Sequence, residues 1–257
     1  MLHTGESVLI PYCFSLFGGD RGQSLSDFGI IRGMAIPILF FPFAFLASLI
    51  SILIPEISRL NTFKDKTKRD KKIEKILKVT FLFSIVTGGI FYFIPREIGL
   101  LFYKSEEATY AMKILAIVTP FMYIETISDG ILKGIGEEKF TMRVSIYNSV
   151  SRILIILFLL PRYGANGYLW LLVVSNTFSF FMCYFRLKIK SSFTLGFVSH
   201  FMMPCIITVV TGIFIRKTLD FLQLPIIISS IGGALVYIMI FSILILPVIK
   251  YANRKNI

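Results

Sequence analysis

The sequence predicts an all-α, polytopic transmembrane helix bundle of about seven full spans plus one partial helix near the amino terminus. Three observations predict it. Hydrophobic residues make up 55% of the 257-residue chain and charged ones only 16%, with a mean hydropathy of +0.77. Soluble domains carry about 25% charged residues, so a chain this depleted is built for lipid. Apolar stretches recur at lengths near the 20 residues or so needed to cross about 30 Å of hydrocarbon at about 1.5 Å per residue. Lysine and arginine concentrate in alternate connections between those stretches, the pattern of cytoplasmic loops.

The stretch at residues 6–17 is apolar but too short to cross alone. The first full span, 29–54, carries Gly33, Pro37 and Pro42. Proline removes a backbone donor and kinks a helix, and transporters place such broken helices near their pathways. The next spans are 76–94, 109–132 (with Pro120), 143–160 and 165–185. Between the second pair lies GILKGIGEEKF, residues 130–140. With no strand before it, this is a helix end with Gly134 or Gly136 in a left-handed cap rather than a phosphate cradle. Spans at 197–215 (with Pro204) and 225–249 complete the bundle.

Loop charge orients it. The connection RLNTFKDKTKRDKKIEKILK, 59–78, holds nine Lys and Arg. If it is cytoplasmic, strict alternation puts 133–143, 186–196 and the tail from 250 on the same side, each adding three more. The opposite side has eight, among them Arg32, Arg96, Lys113, Arg216 and Lys217. The expectation is a multi-pass cell-membrane protein with loop 59–78 and the carboxy terminus cytoplasmic.

Composition also excludes function classes. The net charge of +12 is explained by those loops and does not point to nucleic acid as a partner. Cys13, Cys183 and Cys205 follow no CxxC spacing, and His3 and His200 have no companions at ligand spacing. No metalloprotease, nucleophile-elbow or P-loop motif is present. The chain is therefore read as a non-enzyme, with no catalytic residue, metal site or cofactor.

Ionisable residues inside spans carry the functional signal, because the bilayer makes them costly. Arg32 lies near the outer end of the first span. Glu125 and Asp129 stand four residues apart on one helix, hence on one face. Arg152 sits near the middle of 143–160, one turn beyond Asn148. Counted from the inner helix ends, Glu125 matches Arg152 in depth and Asp129 matches Asn148. The two helices are consecutive and antiparallel, so a two-rung ladder is expected, Glu125 with Arg152 and Asp129 with Asn148. Arg152, Asn148, Glu125, Asp129 and Arg32 are the candidate transport residues.

An ordered set of stretches resembles one family. LSDFGIIRGMAIPILFFPFAFLASLISILIPEISR (25–59) resembles the eighth helix of the polysaccharide-transporter and stage V sporulation protein B families. DGILKGIGEEKF (129–140) resembles their helix 10 exit, LFLLPRYGANGYLW (157–170) the outer turn between helices 11 and 12, and GESVLIPYCFSLFG (5–18) the end of helix 7. These families belong to the multidrug/oligosaccharidyl-lipid/polysaccharide flippase superfamily, whose members have about fourteen helices in two lobes around a cavity, plus a terminal pair. The resemblance implies that residues 1–190 form the second lobe, from a helix 7 remnant to helix 12, and 191–257 the terminal pair. It implies a carrier for lipid-linked oligosaccharide or polysaccharide precursors in cell-envelope or spore-wall synthesis. The bilayer, the lipid-linked glycan and a separately encoded first lobe are then the expected partners. The alternative expectation is a truncated or accessory membrane scaffold with no transport of its own.

Overall fold

The computed structural model describes residues 9–14, 16, 21–63, 65–104, 106–193, 201–222, 225–226 and 228–255, and those in regular structure are helical throughout. The elements are α1 (Arg21–Ile30), a π-helical turn at Ile31–Ala35, α2 (Ile36–Thr62), α3 (Lys66–Phe93), α4 (Pro95–Tyr103), α5 (Ala108–Gly134), α6 (Glu138–Lys190), α7 (Met203–Leu222), a second π turn (Ile228–Gly232) and α8 (Gly233–Lys255). The chain is an all-α polytopic bundle, as expected. Within the short 6–17 stretch, residues 9–14 are helical, while 6–8, 15 and 17 lie outside the described residues, as do 197–200 at the start of the sixth expected span.

Helix α6 is 53 residues long, about 80 Å if straight, far more than one crossing needs. It is two spans joined at Gly164, whose φ of 55° and ψ of −136° lie where only glycine is comfortable. The break falls inside the turn the sequence placed between 160 and 165. The cap between α5 and α6 is likewise at one of the two expected glycines. Gly136 has φ 87°, its N–H donates to Lys133 O at 3.0 Å and Glu137 N–H donates to Leu132 O at 2.9 Å, which is the paired bonding of a Schellman motif.

The first span is not a plain helix. The π turn at Ile31–Ala35 ends just before Pro37, which cannot donate to the Gly33 carbonyl. Tyr103 Oη donates to that carbonyl instead, at 3.3 Å. Six residues further along, Tyr123 Oη donates to Leu39 O, three residues before Pro42. A tyrosine on α4 thus satisfies the carbonyl that Pro37 leaves free, and one on α5 bonds the same helix further along.

Helix α5 is the centre, packed against α2, α3, α4 and α6, while α7 and α8 pair with each other and lean on α3. Two apolar clusters stack along it. One holds Leu39, Phe91, Met112, Leu115, Tyr168 and Tyr237. The other, toward the 59–78 connection, holds Ile57, Leu77, Tyr123, Ile131, Val144 and Leu187. The outer surface keeps large apolar side chains, such as Phe45, Ile117, Phe158 and Leu235, well exposed, as lipid-facing helices do. Among the described residues five helices are long and apolar enough to cross a membrane, one being the broken α6. Helix α7 ends in Arg216, Lys217 and Asp220, which leaves its apolar part short.

Candidate functional site

Glu125 and Asp129 line a cleft of about 600 Å³ between α5 and both halves of α6. Asn148 enters it from the first half, Ser179 and Cys183 from the second. The Gly164 break turns the second half back alongside the first. Ser175, Ser179 and Cys183 recur every fourth residue, so small side chains share one face there and leave room. Ser175 Oγ donates to Asn148 Oδ1 at 2.8 Å, which fixes the asparagine across the two halves. Ser145 and Thr141 add hydroxyls at the cleft wall.

The structure corrects the expected ladder. Among the described residues Asp129 pairs with Lys133, Nζ to Oδ2 at 2.6 Å, and not with Asn148. Glu125 Oε2 accepts from Thr126 Oγ1 at 3.3 Å rather than from Arg152. The physical reason is proximity: Lys133 lies one turn along the same helix, so its pairing needs no interhelical fit. Asn148 is drawn to Ser175 by the fold-back at Gly164, a contact that matching helix depths alone does not reveal. Arg152 lies one turn past Asn148 on α6, half-buried and outside the cleft lining.

Arg32 is elsewhere. It is exposed within the first π turn, with its guanidinium carbon 5.9 Å from the Phe28 ring centroid. Of the five candidates, then, three share one cleft and the two arginines stand apart from it. The cleft presents three carboxylates (Glu125, Asp129 and Glu138), an amide, several hydroxyls and the Lys133 and Lys139 ammoniums within a lipid-facing bundle. Such a set accepts hydrogen bonds from a hydroxylated ligand or holds a cation.

A second polar assembly closes the bundle near the 59–78 connection, and sequence reading missed it. Arg69, in the middle of the basic run, is only 7% exposed. Its guanidinium donates to Asp70 Oδ1, to Asn61 Oδ1 at 2.6 Å and to Lys190 O at 3.2 Å. Asp70 Oδ2 accepts from Ser192 N–H, and Asn61 Nδ2 donates to Ile135 O. The ends of α2, α3, α5 and α6 are tied together. Beside them Glu137 is paired with Lys190 and Arg186, which hold its carboxyl below the usual range.

Residues 31–158, from the first π turn through the first half of α6, match the MatE family model. No curated protein matches the chain.

Proposed function

We propose that this chain, whose residues 31–158 match the MatE family model, is a member of the multidrug/oligosaccharidyl-lipid/polysaccharide flippase superfamily and the second lobe of a carrier for lipid-linked oligosaccharide or polysaccharide precursors. That superfamily consists of membrane transporters and flippases, not enzymes. The narrower assignment follows the resemblance to the polysaccharide-transporter and stage V sporulation protein B families. The observation that carries it is the cleft of Glu125, Asp129 and Asn148, polar side chains gathered inside an otherwise apolar bundle. A glycan offers many hydroxyl donors to such acceptors. Its phosphate needs a cation, for which Arg152 and Arg32 are the candidates.

In this reading residues 1–190 act as the lobe and 191–257 as an accessory pair, in the cell membrane with the 59–78 loop cytoplasmic. In this reading a first lobe completes the cavity. Proteoliposomes holding a fluorescent lipid-linked oligosaccharide test it. Translocation, read by an external quencher, is expected when this chain and a first lobe are present together. No translocation with both lobes present overturns the reading and leaves a scaffold role.

A further inference from the structure

Positive charge at membrane-protein ends away from the cytoplasm is normally sparse. Yet at the end of this bundle opposite the 59–78 run, Arg96, Lys113, Arg216 and Lys217 line one cavity of about 430 Å³. Four elements build it: the end of α3, the start of α4, the first turns of α5 and the last turns of α7. The arginines are already engaged. Arg96 pairs with Glu106 at 2.6 Å, and Arg216 pairs with Glu97 at 3.0 Å and Asp220 at 2.9 Å.

The lysines are not so compensated. Lys113 Nζ lies 5.3 Å from the Tyr92 ring centroid, and neither Lys113 nor Lys217 meets a carboxylate among the described residues. Lys113 also sits five residues into α5, about 7 Å below the helix start, where an ammonium is costly without a partner. In the same wall the Thr109 hydroxyl oxygen is buried with no partner among the described residues. Two ammoniums and a hydroxyl donor form a ligand set for phosphate.

The cavity continues downward into lipid depth. A second cleft of about 490 Å³ shares Tyr92, Phe93 and Ile213 with it and runs along α3, α5 and α7. Its walls are mainly apolar, including Ile117, Pro120 and Val209. Gly88 and Gly89 form its floor, where the helices meet so closely that a Cβ at Gly89 would fall 2.1 Å from the Tyr237 hydroxyl. A charged cup therefore opens into a greasy slot along one helix seam.

We infer that this seam binds one anionic phospholipid, its phosphate held by Lys113, Lys217 and Thr109 and one acyl chain laid along Ile117, Pro120 and Val209. A soluble anion would use only the cup, and an uncharged lipid only the slot. The site lies at the junction of α7 with the rest of the bundle, away from the Glu125–Asp129 cleft, and does not depend on the substrate reading.

The test places a reporter in the slot. Trp170 is the chain's sole tryptophan, so an I117W substitution in a W170F background gives a single emitter at an exposed, lipid-facing position. The purified protein is titrated with phosphatidylglycerol or phosphatidylcholine brominated on the acyl chains. Half-quenching is expected at a mole fraction roughly tenfold lower for phosphatidylglycerol, and K113Q/K217Q should bring the ratio to about one. Native mass spectrometry of the chain without the reporter should show one retained phosphatidylglycerol, lost in K113Q/K217Q. Equal quenching by both lipids, or a preference that survives the double substitution, overturns the inference. So does full displacement by inorganic phosphate alone, which would mark a free-anion site.

Discussion

Arg69 Nη1 donates to Asn61 Oδ1 at 2.6 Å, joining the start of α3 to the end of α2 through a guanidinium that is nearly out of contact with solvent. The same group reaches Asp70 and the Lys190 carbonyl, so one side chain gathers three helix ends. Removing it strands the Asp70 carboxylate and the Asn61 carbonyl. R69L should lower the unfolding free energy by about 3 kcal/mol, the scale for breaking a buried, hydrogen-bonded charge pair. R69K should recover part of this, because an ammonium cannot reproduce the planar fork. Thermal unfolding in detergent checks both.

Glu137 gives the bundle an acid limit. Lys190 and, after it, Arg186 lower its carboxyl below the ordinary 4.5. A carboxyl whose pKa is depressed by folding contributes stability above its unfolded value and loses it as pH falls through the folded one. Melting temperature should therefore drop as pH is lowered below about 4.5, and E137Q should flatten that part of the profile. An unchanged profile in E137Q would show that the pairing contributes nothing.

Gly164 sets the angle between the halves of α6. Its φ of 55° with ψ of −136° strains any residue bearing a Cβ. G164A should cost about 1–3 kcal/mol and disturb the Ser175–Asn148 hydrogen bond that depends on the fold-back. Comparison with G167A separates conformational strain from crowding, since Gly167 has no positive φ and a Cβ there would press on the Leu159 carbonyl.

Orientation is checked by cysteine labelling. In a background with Cys13, Cys183 and Cys205 replaced by serine, S105C should react with an impermeant reagent added outside and T67C should not. The reverse pattern would invert the bundle.

What the sequence revealed and what it hid follow from the range of each interaction. Hydropathy and loop charge are local, so the spans, the Gly136 cap and the turn near Gly164 were legible. Helix depth was legible too: Asp129 and Asn148 were expected at one level with Glu125 a turn above, and all three line one cleft. Rotation about each helix axis was not. That rotation sends Asn148 to Ser175 and leaves Asp129 to Lys133. The Ser175, Ser179 and Cys183 stripe was the one available clue to that face. Nothing in a run of nine cations marks which one is buried, and Arg69 is identified only by the helix ends that converge on it.

In the proposed function, the lobe moves a phosphate-bearing glycan lipid by means of intramembrane charge. The most direct test of this is the translocation rate in proteoliposomes containing both lobes, with the parent chain compared against R32Q, R152Q and R32Q/R152Q at matched protein levels. Phosphate contact by these arginines predicts a loss of roughly tenfold or more in the double variant, since a charge-assisted contact to phosphate is worth about 1.5–3 kcal/mol, with the fold retained by circular dichroism. Translocation unchanged in R32Q/R152Q would contradict it.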